Sequence, residues 1–320
     1  MQKSVLIDTD PGVDDALALL LALNSDKMQV KAITTVCGNV DVRTATDNLY
    51  SVLQHVSGPY PVLAQGAARP LYREPSFAGH IHGKDGLGGA QSSPGQSPGP
   101  ASDLPALSLR TAAEEIVFQT AKSPEPLSLI TLGPLTNIAL ALQQDPGLPD
   151  KVKEMIIMGG AYTVPGNITP AAEFNFYVDP EAADLILRSG INLIAVGLDV
   201  TRQVRISLQE LQDWVQTGDS ATRRSIQAWT THSLEFMQDL IGKPAMPLHD
   251  PLAVLACMHP DLVKTEPMHV EVETKGEHTR GMSLADLRPV LDKWKKKPNV
   301  QVCTWVDSRQ SLKLFWKGLA

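Results

Sequence analysis

The chain predicts an α/β fold: one domain with a mostly parallel sheet flanked by helices, and a small helical and β appendage near the C-terminus. Three observations carry that expectation. Short runs rich in Val, Ile and Leu alternate with helical patterns along most of the sequence. Those runs are apolar on both faces, as strands covered by helices on each side must be. With 320 residues, 43% hydrophobic and 20% charged, the chain has the composition of a globular protein able to bury a large core.

The elements follow in order. "SVLID" (4–8) reads as the first strand and "DDALALLLALN" as the helix after it. "VKAITTVCG" with "RTATDNLYSVLQHV", then the short run "PVLAQG", continue the alternation. The stretch from Gly89 to Pro105 is dense in Pro, Gly and Ser and reads as a mobile surface loop. It is no domain boundary, because "AEEIVFQTAK", "LSLITLG", "LTNIALALQQ", "VKEMIIMGG", "PEAADLILRSG" and "INLIAVGLDV" resume the same pattern. A single domain over 1–320 is therefore expected. From about Ile206 to Ala256 the pattern turns helical, and "HVEVETKGEHTRGMSLAD" alternates as strands or a hairpin would.

A net charge of −7 supplies no general basic surface, which argues against nucleic acid as a partner and favours a small molecule. No apolar run is long enough for a membrane span, and the first residues lack a signal-peptide pattern, so a soluble, cytoplasmic protein is expected. The three cysteines, Cys37, Cys257 and Cys303, are far apart and without CxxC spacing, and read as buried apolar residues.

One stretch is unusual. "DTDPGVDD" places Asp8, Asp10, Asp14 and Asp15 within eight residues, directly after the first strand. The carboxyl edge of an open α/β sheet is where ligands bind. A helix N-terminus and a Pro-Gly turn account for one or two aspartates, each worth about 0.5 kcal/mol through the dipole. Four like charges so close raise one another's pKa or require a cation, and an oxygen-only donor set suits Ca²⁺ or Mg²⁺.

"DTDPGVDDALALLLAL" resembles the N-terminal signature of the inosine-uridine-preferring nucleoside hydrolase family, enzymes that cleave the N-glycosidic bond of ribonucleosides with bound Ca²⁺. Five further segments match in family order: "AITTVCGN" (32–39), "HIHGKDGLGG" (80–89), "LITLGPLTNIALAL" (129–142), the block from Met158 to Ala183, and "LHDPLAVLA" (248–256). "GEHTRGMSLAD" near the C-terminus is similar to the family's late strand region. Taken alone, several admit plainer explanations: a Gly-Asn turn at Asn39, a glycine-rich surface loop around His82, Thr136 as a helix cap, Asp250 as a cap, and Asp179 capping a helix with Pro180 in its first turn.

The resemblance implies a set of roles. Asp10, Asp15, Asp250 and the backbone carbonyl of Leu132 would hold Ca²⁺, and Asp10 would act as general base toward water. Asp14 and Asn175 would bind the 2′- and 3′-hydroxyls, Asn167 and Glu173 the 5′-hydroxyl, with Met158 and Phe174 in the same substrate-binding set. Asn39 would lie at the site edge, His82 would face the nucleobase, and His249 would donate a proton to it, a role suited to a near-neutral imidazole. Asp8 would support the ligands from behind. Base contacts are expected from 229–238, with His232 and Phe236 as candidates. The substrate would be a ribonucleoside, inosine or uridine before others, in a salvage role, and the family implies a homodimer or homotetramer.

Two alternatives remain at this point. A Mg²⁺-dependent phosphatase of the haloacid dehalogenase type would use Asp8 as nucleophile, and a non-catalytic nucleoside-binding protein would keep the ribose contacts without turnover.

Overall fold

The computed structural model describes residues 2–90 and 104–319, so residues 91–103 of the expected mobile loop lie outside the described residues. Twelve strands occur among these residues: β1 (Lys3–Thr9), β2 (Met28–Thr35), β3 (Val62–Gln65), β4 (Leu127–Thr131), β5 (Val152–Met158), β6 (Leu193–Val196), β7 (Arg205–Ser207), β8 (Ala245–Pro247), β9 (Val263–Met268), β10 (Val270–Val272), β11 (Ser283–Ala285) and β12 (Val300–Val306). Eight form one sheet in the order β3-β2-β1-β4-β5-β6-β12-β9. Every pairing in it is parallel except β12 with β9.

The apolar run at the start of the chain explains why β1 lies inside this sheet. Val5, Leu6 and Ile7 are fully buried, since β1 pairs with β2 on one side and β4 on the other while helices cover both faces. Strand alternation divides the core: Val5, Ile7, Ile130 and Ile156 belong to one cluster, and Leu6, Leu129 and Ile157 to the other. The helix Val13–Leu23 is buried from Val13 to Ala22, which explains its apolar residues all round. It packs against the helix His249–Met258, itself buried from Asp250 to Cys257.

The C-terminal part adds the expected appendage: the helices Leu208–Gln216 and Ala221–Ile241, the β7/β8 ribbon and the β10/β11 hairpin, the latter falling within the segment read as alternating. It also does what the sequence reading left out, because β12 enters the main sheet between β6 and β9. Cys37, Cys257 and Cys303 are buried free thiols, as expected. Among the described residues, no helix is long and apolar enough to cross a membrane.

One local expectation changes. Thr136 is not the cap of the helix Thr136–Gln144; Leu135 holds that position, and the Thr136 hydroxyl donates to Asp179 Oδ2 at 2.6 Å. Asp179 does cap Pro180–Leu187 as expected, accepting from Ala182 N at 3.0 Å, and takes a third donor from Leu71 N at 2.9 Å. Asp179→Ala orphans three donors around a fully buried site, so a loss of about 3 kcal/mol is expected in a urea unfolding titration. A loss under about 1 kcal/mol would mean the three contacts are dispensable.

Candidate active site

Strand order reverses about β1, whose neighbours β2 and β4 lie on opposite sides, and the crevice beyond the carboxyl ends of β1 and β4 is where such a sheet binds ligands. The chain leaves β1 into Asp10, and leaves β4 into Leu132 and Gly133. Asp14 and Asp15 occupy the first turn of Val13–Leu23, and Asp250 the first turn of His249–Met258. Two helix N-termini thus converge on one point, and their partial positive charge favours carboxylates there.

All four of these aspartates are buried. Asp14, Asp15 and Asp250 each bring a carboxylate oxygen within 4.8 Å of the others. Asp15 is held from several directions: Thr9 Oγ1 donates to Oδ1 at 2.5 Å, while Gly12 N and Asn39 Nδ2 donate to Oδ2, each at 3.0 Å. Asp10 accepts from Asn39 N through Oδ2 at 2.7 Å, whereas Oδ1 has no hydrogen-bond partner among the described residues. Gly38 and Gly133 wall it in, since a Cβ at either would come within 2.0 and 2.5 Å of its carboxylate oxygens.

Burial and the neighbouring carboxylates push Asp10 and Asp250 well above the usual carboxylate range. Asp14 rises to about 7, first by burial and then by the charge of Asp15. An oxygen-only group of crowded buried carboxylates, one bearing an orphaned oxygen, fits a hard divalent cation. The tight trio includes Asp14, where the sequence reading placed Asp10. The Leu132 carbonyl accepts from Asn175 Nδ2 at 2.7 Å, which leaves its second lone pair free.

Asp8 stands apart. Thr34 Oγ1 and Asn137 Nδ2 donate to its Oδ1, and burial raises it to about 7. It makes no hydrogen bond to the other aspartates; Thr9 and Asn39 orient Asp15 instead.

A cavity of about 480 Å³ opens above the carboxylates. Asp14, Asn39, His82, Leu132, Met158, Asn167, Glu173, Phe174, Asn175, His249 and Asp250 all line it, so the expected substrate set meets in one place. Glu173 caps the short helix Phe174–Val178, accepting from Asn175 N and Phe176 N, and receives Gly160 N as well. Asn167 Oδ1 accepts from Phe174 N at 2.9 Å. The "AEFN" segment is therefore cross-braced before any ligand binds.

The histidines differ from expectation in protonation. Burial, joined by the charge of Arg202, lowers His249 to about 3, and burial lowers His82 to about 4, so both imidazoles are neutral at pH 7 and not poised near it. His82 Nδ1 accepts from Val13 N at 3.1 Å, which places its proton on Nε2. His249 Nδ1 lies 2.7 Å from Thr201 Oγ1 and leaves Nε2 for the cavity.

His232 is not among the lining residues, and its Nε2 is buried without a partner among the described residues. Phe236 does line the cavity and packs edge-on to His80, ring centroids 5.6 Å apart. Met237 lies within the segment expected to supply base contacts, whereas the sequence reading missed Arg202 and Arg205, and Leu240 and Ile241 at the end of the helix Ala221–Ile241. Apolar residues at helical spacing read as core, and "TRQVRIS" carries no pattern that marks a site.

A sequence model of the family described as inosine-uridine preferring nucleoside hydrolase matches residues 5–313. A pyrimidine-specific ribonucleoside hydrolase, RihA, of Salmonella gallinarum is 37% identical over 326 residues, covering 100% of this chain and 99% of that protein. Among solved structures, a plant nucleoside hydrolase, the PpNRh1 enzyme, superposes with TM-score 0.86 at 33% identity, covering 100% of this chain and 99% of the other. A purine-preferring ribonucleoside hydrolase from Gardnerella vaginalis gives TM-score 0.88 at 29% identity, covering 99% and 98%. The phosphatase alternative falls here, since the family that matches is a different one. With the carboxylate group at the sheet switch point and a match along nearly its whole length, the chain belongs to the inosine-uridine preferring nucleoside hydrolase family and is a hydrolase of ribonucleosides.

Proposed function

We propose that ribonucleoside hydrolysis is carried out here by a Ca²⁺ site of Asp10, Asp15, Asp250 and the Leu132 carbonyl, acting on inosine or uridine before other nucleosides. The observation that carries this reading is the group of buried, crowded carboxylates at the foot of the cavity, Asp14, Asp15 and Asp250, with Asp10 joined to them through its N–H to Asp15 Oδ1. When bound, the cation supplies a Lewis acid that aligns water and ribose oxygens. The remaining tasks belong to the chain.

Asp10 takes the water proton at Oδ1, the oxygen without a partner, while the Asn39 N–H fixes the other. Water adds to C1′, the glycosidic electron pair leaves with the base, and ribose and free base result. Asp14 and Asn175 hold the 2′- and 3′-hydroxyls; the Asn175 amide is already turned by its donation to Leu132 O and Met158 O, which leaves its oxygen to accept. Asn167 and Glu173 meet the 5′-hydroxyl, Met158 and Phe174 flank the sugar, and His82 and His249 each present Nε2 to the base. A homo-oligomeric, cytoplasmic enzyme of nucleoside salvage completes the reading.

The test is release of reducing sugar in phosphate-free buffer with Ca²⁺, from inosine, adenosine, guanosine, uridine and cytidine. Release from uridine or inosine ahead of the others is expected. Sugar release that requires added phosphate would overturn hydrolysis in favour of phosphorolysis, and ribose from none of the five would return the non-catalytic binding protein.

A further inference from the structure

We propose that Arg205 stabilises the negative charge that gathers on the departing base, and thereby selects bases presenting carbonyl oxygens. The proposal rests on the nucleoside reading of this cavity.

The cavity lining carries both signs of charge. Carboxylates form the foot, and the lining also includes Arg202, at the end of the helix Leu198–Thr201, and Arg205, the first residue of β7. Antiparallel register sets Arg205 opposite Pro247, and Met246, Pro247 and His249 line the same wall. The two arginines are not equivalent. Arg202 donates to Pro165 O at 2.8 Å and Gly166 O at 2.6 Å, and so holds the loop that carries Asn167. Arg205 uses only Nε, donating to Arg202 O at 2.7 Å, and among the described residues its Nη atoms have no partner and no carboxylate lies in ion-pair range. A half-buried guanidinium fixed through Nε, with its other donors unspent, is a preorganised anion contact.

The polarity matches the reaction. An oxocarbenium-like ribose develops positive charge near the carboxylates, and the electron pair of the breaking C1′–N bond gathers on the base. Beside the neutral imidazoles of His82 and His249, the wall carries the apolar Phe236, Met237, Leu240 and Ile241, and the Ser233 hydroxyl is spent on Ile81 O at 2.9 Å, so among the described lining residues of this side the cationic donors are the arginines. Since a guanidinium has only donors, it pairs with the carbonyl edge of uracil or hypoxanthine and not with the amino groups of cytosine or adenine. The water proton passes to Asp10, and the released base anion takes one proton from solvent while Asp10 returns one.

The test compares Arg205→Gln and Arg205→Lys with the parent enzyme on uridine, inosine and 4-nitrophenyl β-riboside, whose leaving group needs no assistance. For the Gln variant, kcat on both nucleosides is expected to fall about 10²-fold, with less than about a threefold change on the nitrophenyl riboside. The Lys variant should recover at least about tenfold of that loss. Equal loss on all three substrates, a change confined to KM, or unchanged kinetics would each overturn the proposal. If the Gln variant does not fold, Arg205→Met, which keeps the apolar stem, takes its place with the same outcomes. A parent enzyme releasing ribose from no nucleoside overturns the reading of the cavity first, before any variant is compared.

Discussion

Asp10→Asn is expected to lower kcat on uridine or inosine by about 10³-fold while leaving the fold intact. The substitution keeps shape and hydrogen bonding, because the amide oxygen still accepts the Asn39 N–H that Oδ2 accepts now. What it removes is basicity at Oδ1. Its effect on stability should have the opposite sign to its effect on rate. Burial first, then the charges of Asp15 and Asp14, raise Asp10 well above the usual range, so in metal-free protein the carboxylate is held at a cost. The Asn variant should therefore melt at the same temperature as the parent or higher in EGTA. A variant retaining kcat within about tenfold would remove Asp10 from the role of base.

Chelation is expected to have a comparable effect on activity and a different one on stability. Prolonged dialysis against EGTA should take ribose release to background, and returning Ca²⁺ should restore it. Because a cation binds only the assembled carboxylate group, a free concentration 100-fold above Kd stabilises the fold by about 2.7 kcal/mol, or roughly 5 °C in Tm. Asp250→Asn should lose both the activity and the Ca²⁺-dependent shift, since Asp250 belongs to the trio whose oxygens lie within 4.8 Å. A Tm indifferent to Ca²⁺, with activity surviving EGTA, would exclude the metal site.

The crowded carboxylates were legible in the sequence and much of the cavity's apolar wall was not, for a physical reason. Crowded carboxylates cannot be neutral decoration, so "DTDPGVDD" announced a ligand, and β1 places it at the sheet edge where the segments bearing Asn39, Leu132 and Asn175 also arrive. A wall of Met237, Leu240 and Ile241 has no such signature, because a helix face turned to a cavity and one turned to the core use the same residue types. Arg205 acquires meaning only once β7 pairs with β8. The imidazole ionisation was misread because burial, which sequence does not display, sets it. His232 failed similarly: one position from Ser233 along a helix turns a side chain by about 100°. The fold class followed from alternation of strands and helices, but strand order did not, since nothing local says that the run at Val300–Val306 belongs beside β6.

That insertion bears on how the molecule is made. β9 joins the sheet only through β12, and β6 has β12 as its outer neighbour, so β9 leaves the ribosome about forty residues before the strand it needs. Parallel pairing from β1 to β6 requires only sequence already synthesised, while the last two positions of the sheet wait for β12. During that interval β6 is a growing edge with open backbone groups, the state in which a nascent chain is most exposed to pairing with another copy of itself.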